Sequence, residues 1–171
     1  MKPLPYLQAY PENVLGQVHD LMHGPGLGAW LLKRHPKAHG IRTDGALYQY
    51  VMDLKNQHLR QAEPVTKVVF DSKIHAVQHA LGLHTTLSRV QGSKLKAKRE
   101  IKVAALFKDT PLAFLEMIAV HELAHLKLRD HDRAFYKLCQ HMAPDYGQWE
   151  FELRVYLTHL DQGGERLWAS F

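Results

Sequence analysis

Apolar positions recur at three- and four-residue steps through the first and last parts of the chain and alternate only in its middle. Glu12 to Met22 predicts a short helix, stopped by Gly24-Pro25-Gly26. Trp30, Leu31 and Leu32 form a brief apolar piece ended by Pro36. Thr43 then stands as the N-cap of a longer helix, in which Leu47, Tyr50, Val51, Leu54 and His58 share one face. The opposite face carries Gln49, Asp53, Lys55, Asn56 and Arg60.

From Val65 the period shortens. Thr66-Lys67-Val68-Val69-Phe70 is rich in β-branched residues and predicts a strand. Asp71 or Ser72 begins a helix through Ile74, Val77 and Leu81, with Gly82 as its stop. His84 to Val90 reads as a strand and Gln91-Gly92-Ser93 as a turn. Arg99 to Phe107 reads as a further strand, with Ile101, Val103 and Ala105 on one side.

Thr110-Pro111 predicts a helix start, an N-cap followed by proline at the first helical position. PLAFLEMIAVHELAHL follows, apolar nearly all round, so this helix belongs inside. A further helix opens near His131 or Asp132, carries Phe135, Leu138 and Cys139, and is broken by Pro144. The last, about Gly147 to Leu160, places Trp149, Leu153, Tyr156, Leu157 and Leu160 on one face. The sum is an α+β domain over residues 1–171, with a helical N-terminal extension (1–61) and a catalytic core (62–171).

Composition narrows the function classes. At 171 residues the chain suits one domain with a core of its own. A single cysteine, Cys139, excludes an intrachain disulfide and a Cys-rich zinc module. No apolar run reaches the ~18 residues of a membrane span. The opening MKPLPYLQAYPENVLG carries no apolar leader core, so the expected compartment is the cytoplasm. The formal charge of +5 is modest, but 13 histidines are far more than average usage supplies.

Two of those histidines bracket a segment that carries chemistry. His121-Glu122-Leu123-Ala124-His125 is an HExxH motif inside the most apolar helix. Histidines four apart lie on one helical face, about a turn apart, and can grip one zinc ion. Such an ion would activate water and polarise the bond under attack, with Glu122 taking the proton. Two histidines and a glutamate in an apolar helix would otherwise be costly to bury. His131, six residues past His125, is the expected third ligand, with Glu150 or Glu152 as the rival. Its spacing matches the metzincins, but Leu128 stands where they have glycine, so the turn must differ.

Asp130 and Asp132 flank His131, as helix caps or as acceptors for a ligand imidazole. Tyr136, Tyr146 and Arg154 are the candidate oxyanion donors, each with a structural role as the plainer reading. His19, His23, His35, His39, His58, His75 and His79 follow no ligand spacing and read as surface or helix-flank residues. His141 and His159 read as exposed or structural.

The stretch VHELAHLKLRDHDRAFYKLCQHMAPDYGQWEFELRVYLTHL resembles the YgjP-like metallopeptidase family, distant relatives of SprT-type zincins. KIHAVQHALGLHTTLSRVQGSKLKAKREIKVAALF and YLQAYPENVLGQV extend the likeness over most of the chain. The resemblance implies His121, His125 and His131 as zinc ligands and Glu122 as general base. It implies a minimal zincin fold, a small antiparallel sheet beside the HExxH helix with further helices. One departure stands in Ser88-Arg89-Val90-Gln91-Gly92-Ser93, which lacks the tryptophan of the wider family's Arg-Trp-Gly-Ser segment.

Three functions fit these residues. The leading expectation is a zinc-dependent peptidase acting on a peptide or protein, with the Arg99–Phe107 strand lining the cleft. The alternative is a nucleotide or phosphoester hydrolase of the nucleoside triphosphate pyrophosphohydrolase type, with Arg89, Lys94, Lys96, Lys98 and Lys102 gripping phosphate. Against it, no Gly-rich phosphate loop is present, since Gly26-Leu27-Gly28 follows no strand. The third is a DNA-associated SprT-like protease, for which SKLKAKR is basic but carries little aromatic interleaving.

Overall fold

The computed structural model describes residues 2–74 and 99–169. Six helices and a two-stranded sheet make up these residues. They are α1 (Glu12–His23), α2 (Leu27–Arg34), α3 (Asp44–His58), β1 (Val65–Asp71), β2 (Arg99–Ala104), α4 (Leu112–Ala124), α5 (Arg133–Met142) and α6 (Tyr146–Asp161). Short 3₁₀ turns cover Pro5–Leu7 and Ala105–Asp109.

The expected α+β class is met, and α4 is its centre. Phe114, Leu115, Met117, Ala119, Val120, Leu123 and Ala124 on it are wholly buried. Helices α3, α5 and α6 and strand β2 all pack against it. An all-round apolar helix needs such a jacket, and the chain supplies it from both sides in sequence. The caps follow the sequence closely. Thr43 accepts a bond from the Ala46 amide at 3.1 Å, opening α3, and Asp132 accepts from the Phe135 amide at 3.0 Å, opening α5.

Three expectations need correction. The sheet was expected to be antiparallel, but β1 and β2 pair in parallel, Val68 opposite Ile101 and Phe70 opposite Val103. A parallel partner needs a long crossover, and residues 72–98 are enough chain for one. Strand β2 stops at Ala104, short of Phe107, because the chain there tightens into a 3₁₀ turn that buries the Phe107 ring. Pro111 occupies the N-cap of α4 itself, one place earlier than predicted. The Thr110 hydroxyl is thereby freed from capping and donates to the Phe107 carbonyl at 3.2 Å.

The helix through Val77 and Leu81, the His84–Val90 strand, the turn at 91–93 and the tryptophan-less segment lie outside the described residues. So do Arg89, Lys94, Lys96 and Lys98. Ile74 is described, in a turn after β1 where the Lys73 amide bonds Asp71 Oδ1 at 2.8 Å. Lys102 faces Asp71 at 3.9 Å.

The N-terminal helices are fastened to the rest by buried polar contacts. Glu152 on α6, fully buried, accepts from Arg34, from His35 at 2.6 Å and from Gln148 at 3.1 Å. Arg154 Nη1 donates to the Tyr6 carbonyl at 2.9 Å, which fixes the first 3₁₀ turn on α6. His39 bonds the Phe107 carbonyl at 2.6 Å, just before α4. No described helix is long and apolar enough to cross a membrane.

Candidate metal centre

The last turn of α4 and the start of α5 bring three imidazoles to one point. His121 sits on α4, His125 is its C-cap, and His131 directly precedes the capping Asp132. Between them the chain bends by short-range bonds, the amides of Leu126, Lys127 and Leu128 reaching back to Leu123 and Ala124 carbonyls at 3.0 to 3.1 Å. Among the described residues no non-glycine residue takes a positive φ. The turn thus needs no glycine, and Leu128 fits where the metzincin pattern has one.

Among the described residues, these three side chains form the one group that could hold a metal ion, each offering one nitrogen within 4.8 Å of the others. His125 Nε2 lies 3.3 Å from His121 Nε2 and 2.9 Å from His131 Nε2. Nitrogens held at ~2.0–2.1 Å from a tetrahedral zinc ion stand about 3.3 Å apart. The donor set therefore fits a small divalent cation.

The protonation states agree with that fit. His125 Nδ1 lies 3.0 Å from the Leu128 carbonyl, which can only accept. That nitrogen carries the hydrogen, and Nε2 keeps its lone pair. Burial lowers the His121 pKa well below the ordinary value, and His125, His131 and Arg154 lower it further. Burial also lowers His125 and His131, the latter against the opposing pull of Glu150 and Asp130. Neutral imidazoles are what a cation requires.

Phe135 forms the floor of the cluster. Its ring centroid is 5.0, 4.6 and 4.9 Å from those of His121, His125 and His131, and the residue is wholly buried. The sequence showed it only as an apolar residue of the next helix. Its place four residues after His131 was the available signal, since that spacing puts both on one side of a helical turn.

Glu122 keeps part of its surface open to solvent and has no side-chain hydrogen bond or ion pair among the described residues. Even so, enough protein surrounds the carboxyl for desolvation to push its pKa up to about 8 before any cation is bound.

The rival ligands are engaged elsewhere. Glu152 is held by Arg34, His35 and Gln148, and Glu150 accepts from Arg154 at 3.0 Å. Neither belongs to the convergent group. Of the expected oxyanion donors, Tyr146 points at the wrong edge of His121. Its hydroxyl lies 2.8 Å from Nδ1, opposite the converging Nε2. Arg154 is committed to Glu150 and to the Tyr6 carbonyl. Tyr136, half-buried beside Phe135 and Tyr146, has no side-chain hydrogen bond among the described residues. His141 is exposed and stands against His58, and His159 bonds the Glu165 carbonyl at 2.8 Å.

Comparison with known proteins decides the family. The family model for the YgjP-like metallopeptidase domain matches residues 54–156, from the end of α3 to α6. The chain belongs to the YgjP-like metallopeptidase family. All three histidines and Glu122 lie inside the matched span, whereas α1 and α2 precede it. The chain is also similar to a UTP pyrophosphatase of Escherichia coli (strain K12), 55% identical over 167 residues, covering 98% of this chain and all of that protein. No solved structure matches the chain.

Proposed function

We propose that this protein is a metal-dependent hydrolase of nucleoside triphosphates, releasing pyrophosphate, with the three histidines as the cation's ligands and zinc as the cation. The substrate class rests on one observation, the 55% identity with a UTP pyrophosphatase along 98% of the chain. The peptidase expectation thus gives way to its alternative. In the proposed reaction water adds to phosphorus, the bridge between the α and β phosphates breaks, and pyrophosphate leaves with the freed oxygen.

A divalent cation at such a site supplies a Lewis acid for the phosphate oxygens and makes water easier to ionise. The chain's own residues do the rest. His121, His125 and His131 converge with one ring nitrogen each, the first two buried and the third half-buried, with the Phe135 ring against all three. Glu122 takes the proton of the attacking water. In the cation-free protein, desolvation raises this carboxyl's proton affinity, the direction that a general base needs.

A second reading, hydrolysis of a peptide, is supported by the family's description as a metallopeptidase domain. One experiment separates the two. Wild type and Glu122→Gln are assayed side by side on UTP, on the other nucleoside triphosphates and on an unstructured protein. The proposal expects pyrophosphate release by the wild type alone. Proteolysis without pyrophosphate release would establish the second reading in its place.

A further inference from the structure

The proposed ligand set leaves His121 with an unmet requirement. A neutral imidazole that gives its Nε2 lone pair to a cation carries its hydrogen on Nδ1. That hydrogen needs an acceptor, and His121 is only 3% exposed, so water is a poor source. Leu128 meets the same need for His125 with its carbonyl. For His121 the atom in place is the phenolic oxygen of Tyr146, 2.8 Å away.

We propose that Tyr146 is a positioning residue of the metal centre, its hydroxyl accepting the Nδ1–H of His121 and so fixing that ring's tautomer and direction. The inference rests on the reading that the three histidines hold a cation.

The ring is placed with little freedom. Tyr146 is the first residue of α6 and 1% exposed, and its amide bonds the Ala143 carbonyl at 2.9 Å. Its ring lies within 15° of parallel to that of His121, with centroids 6.4 Å apart. That separation is too wide for face-to-face contact and suits an edge-on hydrogen bond. The Tyr136 ring centroid is 6.3 Å from that of Tyr146. Helix α6 thereby touches the metal centre without supplying a ligand to it.

The test is Tyr146→Phe, which keeps the ring and removes one oxygen. Zinc affinity of the purified, metal-stripped protein is measured by competition with a chromogenic chelator. Loss of an outer-shell partner commonly weakens metal binding by about 10–100-fold, and that is the expected result. An unchanged dissociation constant overturns the proposal, as does a lower stability of the metal-free variant with no change in affinity.

If the variant fails to fold, nitrogen-15 NMR of the zinc-loaded wild type decides instead. A slowly exchanging Nδ1–H on His121 is expected, and the Nε2–H tautomer would overturn the assignment. If the wild type itself binds no zinc, cobalt or manganese, the underlying metal reading fails, which is a separate outcome.

Discussion

Replacing Phe135 by alanine is predicted to weaken the fold and the metal centre together. The ring is wholly buried, and its centroid lies 4.6 to 5.0 Å from those of all three convergent imidazoles. Truncating a buried phenylalanine costs about 3–5 kcal/mol, part from lost transfer energy and part from the cavity left behind. At roughly 2–4 °C per kcal/mol for a domain of this size, the midpoint of thermal unfolding falls by about 6–20 °C. A total stability of about 5–15 kcal/mol leaves most of that range folded at room temperature. The same cavity lets the imidazoles turn away from their common point, so zinc affinity is expected to drop about tenfold or more, as when an outer-shell support is removed. Phe135→Leu leaves a smaller hole, about 1–2 kcal/mol, and is the graded control. The assay is thermal unfolding with and without saturating zinc, beside chelator competition. An alanine variant that melts with the wild type and binds zinc equally well would refute the reasoning.

Glu122→Gln should keep its metal content and lose turnover by about 10²–10⁴-fold, the usual range for a general base, as read by pyrophosphate release. His131→Ala should lose metal affinity in the same chelator competition, whereas Glu150→Gln should keep it, because Glu150 is bound to Arg154 and lies outside the ligand group. Acid titration probes the clamp on α6. Burial alone would raise the Glu152 carboxyl, but the bonds from His35, Gln148 and Arg34 outweigh it and hold the pKa below the ordinary value. The unfolded chain therefore binds the proton more readily, and the stabilisation is complete above about pH 4.3 and drains as pH falls through the folded value. Unfolding in urea from pH 6 down to pH 3 should show that slope, and Glu152→Gln should flatten it.

Local signals carried furthest where one residue's chemistry settles one position. Thr43 and Asp132 cap the helices predicted for them, because a short side-chain oxygen before an apolar period has few other uses. The apolar surround of α4 gave its burial, and HExxH with His131 gave the convergent histidines. The sheet was less legible. The β-branched residues of Thr66–Phe70 mark a strand, but they do not give the direction of its partner. Proline also misled, since Pro111 caps α4 rather than beginning it. Tyr146 was in view as a donor to substrate, yet only the fold shows that it meets His121 on Nδ1 rather than beside Nε2. A contact across that much intervening chain leaves no periodicity to read.

X-ray absorption on the purified protein, with its metal content, addresses the central claim most directly. One ion per chain is expected, surrounded by imidazole nitrogens at ~2.0–2.1 Å, and removing it with a chelator should abolish pyrophosphate release. Chelation that strips the ion but leaves hydrolysis at its full rate, or a coordination shell that loses no imidazole in His131→Ala, would contradict the account.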